Sequence, residues 1–270
     1  MVVTYLYHQS NIETKIRTNY GERGEQFVHF KKTTYNPYRD AQLKITSIEE
    51  ESILQKISLL NNYYKLVEDF NKGGWIKPQS KFRPTILEEF CGFLFKDLPK
   101  VRELQLGFYN KRIFAGVAIN SEGKAVIKTK DIDFCIGKHF AVSFEDQRED
   151  IIIPVVAIEC KTYTDKTMLN EAQFAAQKLK QGSPNTKVYI LSEGNQVDDN
   201  EIPLKGQTPL DQIFILRKLK ERRLWRSTSK KEWEDLNPTA ILEFFFKVIS
   251  DLDTVLADKK IPEFGGILLE

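Results

Sequence analysis

The apolar run from Ile151 to Ile158 breaks off into Glu159-Cys160-Lys161-Thr162, and it constrains the fold more than any other stretch. A run of that length reads as a central strand, here one that ends in an acid and a base two residues apart. Alternation along a strand sends Glu159 and Lys161 to one face and Ile158 and Cys160 to the other. Unpaired charges in such a place are costly, so the pair calls for either a salt bridge to a neighbour or a metal-dependent active site.

Upstream, Lys128-Thr-Lys-Asp131-Ile-Asp133-Phe-Cys-Ile136 is a second alternating segment. It puts Asp131, Asp133 and Cys135 on one face and Ile132, Phe134 and Ile136 on a core face. If the strands carrying Asp133 and Glu159 pair antiparallel, their carboxylates come within reach of one hard cation. Lys161 would then stand beside that cation with a lowered pKa, suited to orienting or deprotonating a water. Two plainer readings stand beside this one: a solvated cross-strand salt bridge for Glu159 and Lys161, and for Asp131 and Asp133 either a charge pair near a turn or the Asp-x-Asp site of a nucleotide-sugar transferase.

Asp133 followed by Glu159-Cys160-Lys161 at a strand end resembles the PD-(D/E)XK nuclease signature, with Ile132 where the family's proline stands. The segment Glu159 to Met168, a helix ending in Lys-Gln-Gly-Ser-Pro184, and the strand Lys187 to Glu193 extend the likeness to type II restriction endonucleases, nearest to the group that includes DdeI and the two-subunit BbvCI-type enzymes. The resemblance implies an α/β fold: a restriction-endonuclease-like core with a mixed central β-sheet flanked by helices. It implies Mg2+, with Mn2+ able to substitute, held by Asp133, Glu159 and the Cys160 backbone carbonyl, with Lys161 assisting the attacking water. It further implies sequence-specific hydrolysis of double-stranded DNA leaving 5′-phosphates, and a second nuclease subunit, identical or different, to cut the second strand. Nucleases of this fold often add a helical glutamate. The helix expected near 83 to 97 offers Glu88 and Glu89 on the two edges of its apolar stripe, with Glu89 favoured by Ile86 and Phe93 at i−3 and i+4. Two alternatives remain: a repair or junction-resolving nuclease of the same fold, and a non-catalytic DNA-binding subunit.

Net charge is +2 and the isoelectric point about 8.2, which neither requires nor excludes nucleic acid. No apolar run approaches the ~20 residues of a membrane span, and Met-Val-Val-Thr-Tyr-Leu-Tyr-His lacks the features of a secretory signal. The expectation is a cytoplasmic protein without a membrane partner. Cys91, Cys135 and Cys160 show no Cys-x-x-Cys spacing, and His8, His29 and His139 are scattered, so zinc is not expected.

Three regions are expected: 1–80, an N-terminal arm and helical region; 81–220, the catalytic core; and 221–270, a basic segment and a C-terminal helix. In the first 45 residues, loop signals and tyrosines mixed with Lys31, Lys32 and Arg39 suit DNA contact, or equally an arm packed on the body. A helix is expected from Ser47, with a Ser-Ile-Glu-Glu50 capping box and a stripe through Ile53, Ile57, Leu60, Tyr64 and Val67. Strands follow near 103–109, 112–119 and 124–136, with Asn120-Ser-Glu-Gly123 as a hairpin turn. Asp165 or Thr164 caps the next helix. Arg217 to Lys231, including Arg222, Arg223 and Arg226, can follow DNA phosphates or form a solvated face. The aromatic surplus of Phe244, Phe245 and Phe246 in the last helix suits a subunit interface.

Overall fold

The computed structural model describes residues 5–77, 80–144, 147–203, 206–217 and 234–256. Seven strands form one mixed sheet: β1 (Gly107–Tyr109), β2 (Ile113–Ile119), β3 (Ala125–Lys130), β4 (Phe134–Phe144), β5 (Gln147–Lys161), β6 (Lys187–Ser192) and β7 (Gln212–Ile215). β5 is the axis. It pairs antiparallel with β4 along its length, and its other edge meets β2 at Ile152 and β6 from Val156 to Lys161, both parallel. β7 adds in parallel beside β6.

Helices cover both faces, as expected for a mixed sheet in an α/β fold. They are α1 (Tyr7–Thr18), α2 (Glu22–Phe30), α3 (Asn36–Lys44), α4 (Glu50–Asn71), α5 (Pro84–Phe95), α6 (Pro99–Glu103), α7 (Lys166–Gly182) and α8 (Pro238–Leu256). Ile158 and Cys160 belong to a large hydrophobic cluster with Phe95 of α5 and Phe244 of α8. Ala157 belongs to a second cluster under Leu169 and Ala176 of α7. A strand covered on both sides has no polar face to keep, which is why residues 151–158 are apolar without alternation. The large cluster also holds Phe30 of α2 and Ile57 of α4, so the N-terminal, central and C-terminal regions share one core. Among the described residues, no helix is long and apolar enough to cross a membrane.

Several local expectations change. Residues 7–44 are mostly helical: α1, α2 and α3 follow one another, and a π turn at Lys31–Tyr35 joins the last two. That turn precedes Pro37, which lacks an N–H and crowds the carbonyl four residues back, so a widened turn accommodates it. Tyr35 and Tyr38 are buried, and Tyr38 stacks on Tyr63 with ring centroids 4.1 Å apart; they pack the core and offer no face to a base. α4 begins at Glu50, three residues after Ser47, whose hydroxyl instead accepts the Glu49 N–H in a local turn. The expected strand near 103–109 is shortened to β1, because α6, started by Pro99, runs to Glu103 and a turn follows it. The expected strand 124–136 breaks at Asp131–Asp133. Ile132 therefore joins Cys135 in the cluster under α7, and not Phe134 and Ile136 on the other side. In α8 the aromatic surplus is absorbed internally: Phe244 and Phe245 are buried, with Phe245 stacked on Phe95, and of the three only Phe246 is exposed.

Pro154 lies within β5, where it cannot donate to a ladder. The register shifts there, with Ile136 opposite Val156 but Gly137 opposite Pro154, so Val155 is the extra residue of a bulge. A Cβ on Gly137 would lie 2.6 Å from the Ile153 carbonyl oxygen. Gly137→Ala should therefore lower stability by about 1–3 kcal/mol, read as a lower urea midpoint with an unchanged m-value; an unchanged midpoint would show that the bulge does not need the glycine.

Candidate active site

β5 ends at Lys161, and its antiparallel register with β4 places Phe134 opposite Ile158. Asp133 is the residue just before β4, next to the end of β5. The Cys160 N–H donates to Asp133 Oδ2 at 2.9 Å. Lys161 Nζ donates to Asp133 Oδ2 at 3.0 Å and to Glu159 Oε2 at 2.5 Å. The three residues expected from the sequence are thus one contact group. Asp131 lies outside it, exposed, accepting the Arg112 N–H at 3.1 Å.

The electrostatics follow from two carboxylates sharing a half-buried corner. Burial, and then the charge of Asp133, push the Glu159 carboxyl up to about 7. Burial alone would lower the Lys161 ammonium, but Asp133 and Glu159 outweigh it and hold Lys161 protonated above its usual range. Between the two carboxylates the lysine is the counter-cation of the pair.

The helical glutamates separate. α5 is buried over its whole circumference from Thr85 to Phe95, so neither glutamate lies on an open helix edge. Glu89 faces the N-terminal helices, where its carboxyl accepts the Gln9 N–H and the Tyr35 hydroxyl, each at 3.0 Å. Burial raises it to about 8. Glu88 is 7% exposed, and its carboxyl takes no hydrogen bond or ion pair among the described residues. Burial and then the charge of Asp133 raise it to about 8, with Lys81 and Lys161 opposing and Glu159 adding to the rise. The structure thus sets the two apart: Glu89, the favoured acid, is tied to the N-terminal helices, whereas Glu88 lies within the electrostatic reach of Asp133.

One neighbour of the site was not anticipated. Glu193, just past β6, donates its N–H to the Lys161 carbonyl at 2.9 Å. Its buried carboxylate pairs with Arg217 at 2.7 Å and accepts the Tyr64 hydroxyl at 2.9 Å. The signal was in the sequence, since Glu193 ends an apolar strand much as Glu159 does. Of the basic residues considered for DNA, Lys31 pairs with Glu13 at 2.7 Å, Arg39 donates to Gln9 and Asp40, and Lys32 is exposed. Arg222, Arg223 and Arg226 lie outside the described residues.

For a hard divalent cation the donor chemistry fits: carboxylate oxygens of Asp133 and Glu159 already converge on one positive charge, and Glu88 adds an unpartnered acid nearby. Among the described residues, no three acidic, histidine or cysteine side chains stand close enough to form a metal cluster unaided.

An aspartate opposite a Glu-x-Lys strand end, in a mixed sheet flanked by helices, is the arrangement of a PD-(D/E)XK nuclease. Residues 79–259, well over half of the chain, match the family described as Bpu10I restriction endonuclease. The chain belongs to that family, and so to the type II restriction endonucleases. Among solved structures, a chain of the native BbvCI A2B2 tetramer, determined at low resolution, is similar with a TM-score of 0.73 and 19% identity, over 94% of this chain and 98% of that one. At that identity the likeness is one of fold. A comparison with curated proteins gave no match.

Glu89 supplies a test that is independent of catalysis. Its folded pKa of about 8 lies above the ordinary 4.5, so the folded state binds the extra proton. Its contribution to stability is complete below about pH 4.5 and is lost as pH rises through 8. Glu89→Gln removes the titration, so its melting temperature should depend less steeply on pH between 5 and 8 than that of the wild type, on the order of 1.4 kcal/mol less per unit of pKa difference. Parallel curves would show that Glu89 is not held as the acid.

Proposed function

We propose that this restriction endonuclease hydrolyses DNA phosphodiester bonds with a magnesium ion, manganese substituting, and leaves 5′-phosphates. The observation that carries the reading is the convergence of Asp133 and Glu159 on Lys161 at the end of β5, with the carboxyl of Glu88 buried beside them and unpartnered. Asp133, Glu159, the Cys160 carbonyl and Glu88 would hold the ion. When bound, it supplies Lewis-acid stabilisation of the phosphate and an acidified water. Lys161 keeps its proton and acts as a hydrogen-bond donor and positive charge, aligning the nucleophile and countering charge that builds on the phosphate. Glu88 holds its own proton near neutral pH and would release it to solvent when a divalent cation takes its carboxylate.

One such site cuts one strand, so we propose a second nuclease subunit. The similar BbvCI structure is described as an A2B2 tetramer, which favours assembly of this kind. Lys32 of the N-terminal helical region and the basic segment carrying Arg222, Arg223 and Arg226 are proposed phosphate contacts. The intact group of acids and lysine speaks against a purely DNA-binding subunit.

Asp133→Ala, Glu159→Ala and Lys161→Ala should each lower magnesium-dependent plasmid scission by about 100-fold or more. Glu88→Gln should do the same, whereas Glu89→Gln should stay within a few-fold of the wild type. Scission by the three alanine variants equal to that of the wild type would sink the proposal. A reversed order for Glu88 and Glu89 would return the helical acid to Glu89. Discrete plasmid fragments, as opposed to cleavage that follows DNA structure, separate a restriction enzyme from a repair nuclease.

A further inference from the structure

The β2–β3 hairpin takes no part in either hydrophobic cluster beyond Ile113. Its ladder runs from Ile113 opposite Lys130 to Ile119 opposite Ala125. The turn that closes it is firmly built: Asn120 Oδ1 accepts the N–H groups of Glu122 and Lys124 at 2.9 Å each, and Gly123 takes the positive φ of 79° that the turn requires. Past its base, both faces of this ribbon lie open. Val117 and Ile119 on one face are 51% and 77% exposed, and Val126 on the other is 42% exposed.

The ribbon is also basic. Lys128 and Lys130 lie on β3, Lys124 just before it, and Lys111 and Arg112 just before β2, against Glu122, which pairs with Lys124, and Asp131, which follows β3. Lys111, Lys128 and Lys130 make no ion pair among the described residues. Alternation places Val126, Lys128 and Lys130 on one face, and Lys128 lies opposite Gly116, which leaves it unscreened by a cross-strand side chain. The base is seated rigidly on α7, because a Cβ on Gly182 would lie 2.4 Å from backbone atoms of Ala115 and Gly116. From Lys130 the chain passes through only two residues to Asp133, an acid of the site.

We infer that the β2–β3 hairpin is a duplex-DNA-binding ribbon, with Lys128 and Lys130 on phosphates and Val117 and Ile119 against base edges. The inference rests on the DNA-endonuclease reading of the site and names where that substrate is gripped. A two-stranded antiparallel ribbon has the dimensions that the major groove admits, and apolar side chains there meet thymine methyl groups. Unpaired lysines on a rigid ribbon suit phosphates, since each neutralised phosphate releases counterions. The direct connection to Asp133 would tie the position of the ribbon in the groove to the position of the cut.

The test is fluorescence anisotropy with the full chain and a 30-base-pair duplex taken from a plasmid fragment that the wild type cleaves, titrated without magnesium over a range of salt concentrations, together with plasmid digestion in magnesium. Lys128→Ala and Lys130→Ala should each reduce the slope of log affinity against log salt by about one. Ile119→Asp should weaken binding at least about ten-fold, while melting temperatures stay at the wild-type value. Unchanged slopes and affinities in variants that melt normally would overturn the inference. So would variants that alter the sedimentation of the free protein but not its DNA binding, since the ribbon would then be a protein interface. A wild type that neither binds nor cuts duplex would instead count against the endonuclease reading itself.

Discussion

The register between β4 and β5 holds the active-site corner together. Phe134 opposite Ile158 is a core pair, buried from both sides, and a slip of one residue would turn every side chain of either strand to the wrong face. With that register fixed by packing, Asp133 and Glu159 are brought to one corner whatever their charges prefer. Two carboxylates in a half-buried corner repel, and the Lys161 ammonium, two residues on from Glu159 and on the same face, offsets the repulsion. Hydrophobic burial thus sets up an electrostatic arrangement that the residues would not adopt by themselves. Removing the lysine leaves two like charges unpaired, whereas a cation of higher charge can take over its role.

The site was legible because it sits where periodicity is least ambiguous. Glu159 and Lys161 end an apolar run, and the alternation that places them together is a property of any extended chain. Asp133 was legible as an acid near a strand, but the break at Asp131–Asp133 was not. That break depends on where β4 pairs, which is a tertiary fact. Strand and helix identities inside the core were mostly recovered, as for α4, α7, β2 and β6. The N-terminal region was not, because Tyr35 and Tyr38 look like surface aromatics until α4 and α5 are present to bury them. Most of the aromatic surplus of α8 has the same explanation: a helix between Phe95 and Tyr189 can bury more than one face.

A related limit applies to Glu88 and Glu89. Adjacent residues on a helix point about 100° apart, so a stripe-based reading treats them as the two edges of one apolar face. α5 has no such face, since it is buried all round. Each glutamate is then defined by what the neighbouring element presents. For Glu89 that is a hydroxyl and an N–H; for Glu88 it is the charge of Asp133. Nothing in Ile86-Leu-Glu-Glu-Phe90 encodes that difference, which comes from the way α1 and the π turn pack against one side of α5.

Carboxyls buried in this way destabilise the folded state near neutral pH, because the ionised form has lost its water. At Glu89 two hydrogen bonds offset part of that cost, and the residue behaves as part of the core. At Glu88 no partner among the described residues does so. A chain selected for stability alone would place an apolar residue there, as it does at Leu87 and Phe90. The unpartnered acid therefore makes physical sense as a group whose partner arrives from solution, and a divalent cation shared with Asp133 and Glu159 would relieve the Glu88 burial cost and the repulsion between the two strand carboxylates together.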